Sequence, residues 1–589
     1  MKKYFAILLG ACCMTMACTE TTEGFLDSKG KETEDLESVL ADSLKTMGFH
    51  AALYWQIART AMSPHSVSSS LQNYKDYEAG TDNSRYYYFR VSEFTPAYTK
   101  GDFSQGGTNA GFTDFRTGWL EPYQTIYRCN SFLENYEKCV LSEPMKKKLA
   151  DEARFIRAYF YFHLLRQYGG GPIVEHVIDP FNLEQLPRNT FEECVDYIAS
   201  ELEYCAESLP LVQDGIDYGR ATKGAALGLL TKLYTLAASP LHNGGNIGDG
   251  DNRLLVGYDD EDVNRWQKVV NAAKRLMDLD VYDLVVDNNT RPGNGFYLAT
   301  TRRKSEERVW FWITIGTTFF QKPLLPVSRG GQPQICPYHE LVDAFPMKNG
   351  KAITEEGSGY DINNPYENRD PRLGYTIIYN GAKWIKNKGE EPEPVYTYKG
   401  ASDDGYGLGT TFATSTGYYF RKCSNESLRG NDSDSEGQGL SFIRYADILL
   451  MYAEALTELN VDTHRGEIEE QLFKIRNRAG IDAGENGRYG VPENMNKDQM
   501  IEFIINERRI EFANECGNRF WDLKRRKMYE RLNGVWTSAA VWEKTGDNQY
   551  SWSVVPVEQH FFQPKMYFSA IPQREINASH GKLIQNPGW

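Results

Sequence analysis

The chain has 589 residues and a formal net charge of −15, with 80 acidic side chains against 65 Lys and Arg. This balance argues against nucleic acid as the partner, because phosphate contacts need a basic face. Hydrophobic residues make up 41% of the chain, which is ample for one very large core or several joined ones.

The first residues have the organisation of an export signal. Two lysines precede an apolar run from Tyr4 to Met16, which is too short for a membrane-spanning helix of about 20 apolar residues. Small Ala17 then stands directly before Cys18, and the chain becomes polar. This pattern predicts a lipoprotein signal peptide over 1–17, lipidation of Cys18 and a tether over 18–35. An ordinary secretory signal with an incidental cysteine is the alternative.

The rest of the chain is expected to be soluble and attached to a membrane only through this lipid. About 570 residues follow the signal, and none of their apolar runs is long enough to span a bilayer. Each buried CH₂ of an acyl chain contributes ~0.8 kcal/mol, so several chains on Cys18 would give a lasting anchor.

The seven cysteines after Cys18 form neither a disulfide framework nor a CxxC metal site. Cys194 and Cys205 are eleven residues apart on one predicted helix. At about 1.5 Å per residue they are too far apart to form a disulfide, so they are expected to be small apolar core residues.

Helical periodicity dominates the organised segments. Thr190 and Glu193 form a capping box before a series of apolar residues at helical spacing. The segment before it, EARFIRAYFYFHLLRQY, has an apolar face and ends at Gly169. Further helices are predicted at 222–239, 264–279, 443–460, 464–480 and 496–516. Small residues interleave with Tyr and Leu, which suits helix pairs that stack into a curved solenoid.

Two long segments lack this periodicity. Residues 61–117 are rich in Tyr, Ser, Gly, Asn and Asp, and residues 281–440 mix Gly, Pro, Asn and aromatic residues. The second segment contains the strand-like run RVWFWITI, in which Trp310 and Trp312 are expected to be core residues. Compact domains rarely carry loops of this length without a function, so ligand binding is expected in these two insertions.

Several motifs occur in a consistent order over almost the whole mature chain. They are EARFIRAYFYFHLLRQYGGGPI, PYENRDPRL, TGYYFRK, IRYADILLMYAEALTELN, KIRNRAG, INERRIEFANECGNRFWDLKR, IPQREIN and QNPGW. Together with the lipoprotein signal, they resemble the SusD/RagB family of nutrient-binding outer-membrane lipoproteins.

The resemblance implies a mainly α fold, a tetratricopeptide-like helix-pair solenoid scaffold with long irregular, partly β insertions. Four pairs are expected, near 36–60 with 118–138, 145–168 with 190–209, 219–239 with 262–279, and 443–460 with 465–480. An N-terminal helical region would span 36–280 and contain the insertion 61–117. A C-terminal region would span 281–589, with the irregular segment 281–440 followed by helices at 443–516.

The resemblance also implies a function and a location. Proteins of this family lie on the cell surface of Bacteroidetes-type bacteria, anchored to the outer membrane by their lipid. They cap a SusC-like TonB-dependent transporter and capture glycans, or in some branches peptides, for uptake. Glycan binding is the function favoured for this chain, peptide binding is the alternative, and a surface glycoside hydrolase is a more distant one.

Ligand-binding residues are predicted from sugar chemistry and not from a family motif. Aromatic rings stack on the apolar faces of sugars, and Asn, Asp and Arg side chains bind the hydroxyls. The predicted residues are Tyr74, Tyr77, Asp82, Asn83, Arg85, Tyr86 and Tyr88 in the first insertion and Tyr297, Phe319 and Phe320 in the second. The alternative for each aromatic residue is packing beneath its own loop.

The charged residues of the family motifs are interpreted as structural. Arg369, Asp370 and Arg372 are expected in a buried ion-pair or turn network and not in a catalytic cluster. Arg444 and Asp447 stand at helical spacing and are expected to hold a neighbouring helix.

The sequence offers no catalytic motif and predicts no cofactor or metal. His339-Glu340 lacks the second histidine of HExxH, and the P-loop, nucleophile elbow and dinucleotide fingerprint are missing. The segment from Asp432 to Gly437 matches the first half of a calcium loop, but Ile443 occupies the twelfth position, where glutamate is required. A solvated acidic loop is therefore favoured over a calcium site.

Overall fold

The computed structural model describes residues 35–62, 77–86, 99, 116–178, 186–407 and 413–589. The predicted signal peptide, Cys18 and most of the insertion 61–117 lie outside this part of the chain. Within the described residues, no helix combines the length and apolar character needed to cross a membrane.

Helices supply the scaffold of the described chain. They are α1 (Leu36–Leu40), α2 (Ser43–Met62), α3 (Glu121–Leu133), α4 (Glu143–Tyr168), α5 (Phe191–Ser208), α6 (Lys223–Ala238), α7 (Arg253–Val256), α8 (Arg265–Met277), α9 (Asn294–Thr301), α10 (His339–Ala344), α11 (Pro371–Thr376), α12 (Tyr445–Arg478), α13 (Lys497–Glu511), α14 (Asn518–Arg525) and α15 (Gln573–Ala578).

The helices pack as consecutive pairs. Helix α2 packs against α3, α4 against α5, and α6 against α8, while α3 also contacts α4, α5 contacts α6, and α8 contacts α12. The fourth pair is α12 itself, because the extended backbone at Asn460 divides it into two helices. Tyr452 on the first half donates a hydrogen bond to Glu467 on the second, at 2.7 Å. The four predicted helix pairs are confirmed.

Local sequence signals set several helix ends. Thr190 and Glu193 make the predicted capping box at the start of α5. Thr222 caps α6 by accepting from the backbone of Ala225, and Gly169 follows α4 with a φ of 77°. The prediction for 443–460 differs at its start, because residues up to Arg444 belong to a strand and the helix begins at Tyr445.

The strands of the described chain form five two-stranded antiparallel sheets. They are β1 (Ser84–Tyr86), β2 (Arg308–Thr314), β3 (Ile335–Pro337), β4 (Ile377–Ile378), β5 (Lys383–Trp384), β6 (Glu393–Pro394), β7 (Tyr419–Phe420), β8 (Gln438–Arg444), β9 (Trp536–Gly546) and β10 (Gln549–Gln559). The pairs are β1 with β3, β2 with β8, β4 with β7, β5 with β6, and β9 with β10. The β2–β8 sheet carries the chain directly into α12, so it fixes the insertion 281–440 against the helical scaffold.

Apolar faces of the paired helices form the largest core cluster. Cys194 and Cys205 lie in it, with 5% and 0% exposure, as predicted for small core residues. All seven cysteines of the described chain are free thiols.

A buried ion network joins the insertion to α12 and α13. Arg372 contacts Asp370 at 2.7 Å and Glu511 at 3.1 Å, and Arg444 contacts Glu511 at 2.9 Å. Arg478 pairs with the same Glu511 carboxylate at 2.5 Å. Burial alone would raise the pKa of Glu511, but the charges of these arginines lower it to about 2. The structural interpretation of these motif residues is confirmed.

The remaining motif residues also act within the fold. Arg369 donates three hydrogen bonds to backbone carbonyls, at 2.6 to 2.7 Å. Asp447 pairs with Arg508 of α13 at 2.8 Å, so it holds the neighbouring helix as predicted.

Candidate functional site

An aromatic pocket opens where α4, α6 and α14 meet β8. Its volume is about 90 Å³, which is room for several water molecules at about 10–15 Å³ each, or for a small ligand group. The rings that line it are Tyr77, Tyr159, Phe162, Trp310, Phe442 and Trp521. Apolar rings on several sides suit the flat, apolar face of a sugar or another small ring.

Helical spacing places two cations at this pocket. Arg166 follows Phe162 by one turn of α4, and Lys232 precedes Leu236 by one turn of α6, so each pair shares a helix face. All four side chains line the pocket, and the two cations are only partly buried. The pocket therefore has charged groups at its accessible side.

Arg166 and Lys232 differ in whether a carboxylate of the described residues neutralises their charge. Its guanidinium lies 4.2 Å from the ring centre of Trp521 and 5.3 Å from that of Phe162, positions that favour a cation through the ring quadrupole. Lys232 is neutralised by Asp447 at 2.5 Å, whereas Arg166 has no carboxylate partner among the described residues. Its Nε and the Nε1 of Trp521 are buried without a hydrogen-bond partner. These donors are suited to the oxygens of a ligand.

A glycine shapes one wall of the pocket. Gly517, at the start of α14, has a φ of 67°, and a Cβ built there would lie 2.5 Å from the Cβ of Tyr77. Only glycine fits this left-handed backbone and close approach without strain. Tyr77 therefore packs against α14, with its ring centre 5.3 Å from that of Trp521.

An exposed pair of tryptophans lies beside the pocket. Trp55 of α2 is 54% exposed, and its ring centre is 6.1 Å from that of Trp312 of β2. Trp312 packs on the apolar cluster that contains Phe319 and Phe320, and Phe442 connects this cluster with the aromatic pocket. We call Trp55 and Trp312 the tryptophan pair.

The aromatic pocket does not have the groups of a hydrolase in its described lining. Asp522 is the one carboxylate there, and it is paired with Arg508 and Arg525 at 2.8 Å. Burial raises the pKa of the Cys516 thiol to about 12, so this thiol stays protonated and is a poor nucleophile. A glycosidase needs two carboxyl groups ~5–10 Å apart, and this arrangement is suited to binding instead.

Family models match both halves of the chain. A model described as the SusD family matches residues 287–589. The chain belongs to the SusD family. A second model, described as "Starch-binding associating with outer membrane", matches residues 27–235. The two matches leave out residues 236–286, which include α8, and the second description names the outer membrane.

Similar proteins carry the same family name. A SusD-like protein of Formosa agariphila, P2, is 22% identical over 496 residues, which is 83% of each chain. A SusD-like carbohydrate binding protein of Bacteroides fragilis is 24% identical, with a TM-score of 0.69 over 92% of this chain and 99% of that one. A laminarin binding SusD-like protein is 17% identical, with a TM-score of 0.60 over 93% of this chain and 100% of that one. The structural matches support the SusD fold.

The polar residues predicted from the first insertion hold this SusD-family chain together. Asp82 accepts two hydrogen bonds from Arg519, at 2.9 and 2.8 Å, and pairs with Arg509 at 3.2 Å. Asn83 is fully buried and donates to Glu78 at 2.8 Å. Both side chains face protein groups, which fix the insertion against α13 and α14, so the structure does not bring them to the aromatic pocket.

Two further predicted residues of this insertion lie in β1. Arg85 is 3.6 Å from the Glu558 carboxylate, and Tyr86 is 9% exposed within an apolar cluster. Their side chains serve strand packing, away from the pocket lining. Tyr74 and Tyr88 lie outside the described residues, and their role in ligand binding stays a prediction.

The other predicted aromatic residues fall into three places. Tyr77 forms part of the pocket wall. Phe319 and Phe320 are 6% and 2% exposed and support Trp312 from beneath. Tyr297 lies elsewhere, on α9, where its ring faces Tyr375 at 6.0 Å. The structure thus brings three of these residues near one surface and places Tyr297 on another.

Sequence reasoning missed Trp55, Arg166 and Trp521. Trp55 and Arg166 belong to regular helices, where their spacing fits packing as well as binding. Trp521 lies inside the family motif NRFWDLKR, which indicates the family and not a ligand site. Trp312 was expected in the core, yet it is only partly buried at the tryptophan pair. A single sequence carries no signal for these residues, because their role depends on which helices meet.

The segment resembling half a calcium loop is a set of turns. Asp434 accepts hydrogen bonds from the backbone of Glu436 and Gly437, both at 3.1 Å, and Asp432 accepts from Arg429 at 2.9 Å. In the described part of the chain, no group of three or more His, Cys, Asp or Glu side chains is placed to hold a metal ion.

Proposed function

We propose that this SusD-family chain is a glycan-binding lipoprotein of the outer membrane that binds oligo- or polysaccharides without cleaving them. The observation that carries the proposal is the aromatic pocket beside the tryptophan pair, lined by the partly buried Arg166, whose guanidinium has no carboxylate partner among the described residues. Rings supply stacking area at low entropic cost, and the free donors of Arg166 and Trp521 bind hydroxyl oxygens.

Two relatives support the choice of a glycan. The names of two similar structures describe carbohydrate binding and laminarin binding, and one matching family model is described as starch-binding. These names concern other proteins, and the low identities leave the glycan of this chain open. The shared fold and the aromatic surface make a glycan the first ligand class to test.

The proposal includes an anchor and a partner. A lipid on Cys18 would hold the protein at the outer membrane, facing the cell exterior, and residues 18–35 would tether it. From this position it would deliver glycans to a SusC-like TonB-dependent transporter. The family membership and the signal sequence support this arrangement.

Peptide binding is the second candidate function, and Arg166 is the observation that favours it. A guanidinium at an aromatic pocket, without a carboxylate partner in the part of the chain that the structure describes, suits the terminal carboxylate of a peptide as well as a sugar hydroxyl. A peptide ligand would depend more strongly on this charge than a neutral glycan would. The two candidates therefore predict different effects of the same substitution.

The first experiment measures retardation of the soluble chain from Thr19 onward in gels containing different polysaccharides. Retardation by one glycan class, with no reducing ends released, supports binding without catalysis. Trp55→Ala and Trp521→Ala are each expected to weaken retardation about tenfold, because each removes about 1–3 kcal/mol of aromatic contact. Trp536→Ala is the matched control, since this tryptophan is 52% exposed on β9.

Three outcomes decide against parts of this proposal. Released sugar would establish a hydrolase. If no glycan retarded the chain and it bound a peptide through an interaction that Arg166→Gln abolishes, peptide binding would be established as the function. Retardation that Trp55→Ala and Trp521→Ala leave unchanged would place the glycan site elsewhere on the chain.

A further inference from the structure

A second open groove lies on the C-terminal half, away from the aromatic pocket. It consists of two adjoining hollows of about 430 and 470 Å³ between the turn before α9, α11, the β5–β6 hairpin and the turn at 421–426. The residues that line both hollows are Arg291, Gly374, Tyr379, Arg421 and Glu426. We call this the Arg421 groove, and none of these residues lines the aromatic pocket.

One carboxylate serves two guanidinium groups in the Arg421 groove. Glu426 accepts from Nη2 of Arg291 and from Nη2 of Arg421, in both cases at 2.6 Å. The three side chains therefore carry a net charge of +1. They are 41%, 13% and 24% exposed for Arg291, Arg421 and Glu426, so this surplus charge lies at an accessible surface.

Aromatic rings hold both guanidinium groups in place. Arg421 lies 4.7 Å from the ring centre of Trp384, and Arg291 lies 4.9 Å from that of Tyr375. Tyr297 faces Tyr375 from the same side, with Arg291 5.3 Å from its ring centre. A planar guanidinium fixed against a ring loses little entropy when it binds a ligand.

Hydrogen-bond donors remain free on both arginines. Arg291 uses Nε for Asn294 at 3.1 Å and Nη2 for Glu426, which leaves Nη1 without a partner in the described residues. Arg421 uses only Nη2 for Glu426, so Nε and Nη1 are likewise unused within the described chain. These donors match the paired oxygens of a carboxylate.

A ring platform lies beside these charges. Tyr366 and Tyr379 are stacked with ring centres 3.9 Å apart and planes 18° apart. Both are half-buried and line the hollow that also contains Arg421. A stacked, partly exposed tyrosine pair offers the apolar face that a pyranose ring requires.

We propose that the Arg421 groove binds the uronate residues of an acidic glycan. The sugar carboxylate pairs with the free donors of Arg291 and Arg421, and the sugar ring lies against Tyr379. A neutral sugar could use the ring but would leave the surplus charge unpaired, so the groove selects for acidic glycans. This inference rests on the proposed glycan-binding function and adds a ligand class and a site to it.

The test uses the soluble chain with polygalacturonate and with the same polymer after reduction of its carboxylates to alcohols. Arg291→Gln is expected to weaken binding of the acidic polymer about tenfold and to leave the reduced polymer unaffected, since a tenfold change corresponds to about 1.4 kcal/mol. Tyr379→Ala is also expected to weaken binding of the acidic polymer. Raising the salt concentration should reduce acidic binding.

Arg275→Gln is the matched control. Arg275 is 39% exposed and pairs with Glu203 at 2.8 Å, so its environment resembles that of Arg291 but lies outside the groove. This variant is expected to bind both polymers like the wild-type chain. If Arg275→Gln and Arg291→Gln weakened binding of the acidic polymer equally, the effect would come from the overall charge of the chain. That result would overturn the proposal.

Titration calorimetry with digalacturonate separates this groove from the proposed function. Digalacturonate binding that Arg291→Gln weakens, and that Trp55→Ala and Trp521→Ala leave intact, supports the Arg421 groove even if no neutral glycan binds. If Arg291→Gln leaves the heat of digalacturonate binding unchanged, or if millimolar digalacturonate gives no heat, the proposed site in the Arg421 groove is overturned. Neutral glycan binding lost in Trp521→Ala supports the aromatic pocket in either case.

Discussion

The carboxylate of Asp82 lies between two arginines from the far end of the chain, and this decides its role. Its sequence surroundings, GTDNSRYYYF, have the composition of a sugar-binding loop. Arg509 and Arg519 lie in α13 and α14, more than 400 residues away. No local sequence pattern therefore predicts that they pair with Asp82. Burial alone would raise the pKa of Asp82, but the charges of Arg509 and Arg519 outweigh it and hold this pKa well below its usual value.

Asp82→Asn is expected to destabilise the protein and to leave glycan binding unchanged. The substitution leaves Arg509 and Arg519 without their counter-charge in a buried position, a loss typically worth about 3–5 kcal/mol. Urea unfolding and gel retardation of the same preparation provide the two measurements.

The matched control for Asp82 is Asp214→Asn. Asp214 pairs with Lys304 at 2.5 Å, but both side chains are more than half exposed, at 66% and 63%, so this substitution should change stability far less than Asp82→Asn. If Asp82→Asn lost glycan binding while its stability stayed unchanged, Asp82 would be a ligand-binding residue, as the sequence predicts.

At the scale of elements, helices were predictable and loops were not. The capping box at Thr190 and the stop at Gly169 act within a few residues, so the sequence alone indicates where α4 ends and α5 begins. The β2–β8 sheet joins segments about 130 residues apart. A single sequence does not predict which distant strands pair. The aromatic pocket was equally unpredictable, because seven separate helices and strands contribute to its walls.

Gly517→Ala is expected to destabilise the start of α14 by about 2–4 kcal/mol. The left-handed backbone at this position costs a non-glycine residue about 1–2 kcal/mol, and the new Cβ would stand 2.5 Å from the Cβ of Tyr77. Because Tyr77 must move, glycan retardation should weaken together with the thermal midpoint.

Gly466→Ala is the control with the opposite sign. Gly466 lies in the second half of α12, is exposed, and has no atom within 4 Å of a built Cβ. Alanine is the better helix former, so this variant should gain up to about 1 kcal/mol. A Gly517→Ala protein as stable as wild type would contradict the close packing of Tyr77 on α14.

At the scale of the whole molecule, a buried ion network connects the irregular segment 281–440 with the helices that follow it. Glu511 on α13 meets Arg372 in the first turn of α11, Arg444 at the end of β8 and Arg478 at the end of α12. The family motifs that predicted the fold are largely the parts of this network. They are therefore informative about the scaffold, whereas the aromatic pocket and the Arg421 groove also need residues outside these motifs, such as Trp310, Arg291 and Tyr379.

Stability is expected to fall in acid because of Glu511. Its folded pKa is about 2 against an ordinary value of 4.5, so the unfolded chain binds a proton at a higher pH than the folded one. The stabilisation from this carboxylate is complete above about pH 4.5 and is lost as pH falls towards 2. The thermal midpoint, followed from pH 7 to pH 3, should decrease most steeply below 4.5.

Glu511→Gln tests whether this carboxylate is responsible. It is expected to lose about 3–5 kcal/mol at neutral pH, because the arginines around it remain buried without their common partner, and its midpoint should change less between pH 7 and pH 3. Glu470→Gln is the control, since Glu470 is 58% exposed and pairs with Lys474 at 2.7 Å. Should the Glu511 variant fail to fold, the wild-type profile still decides, because a midpoint that stays constant down to pH 3 would contradict the network's role in joining the insertion 281–440 to α12 and α13.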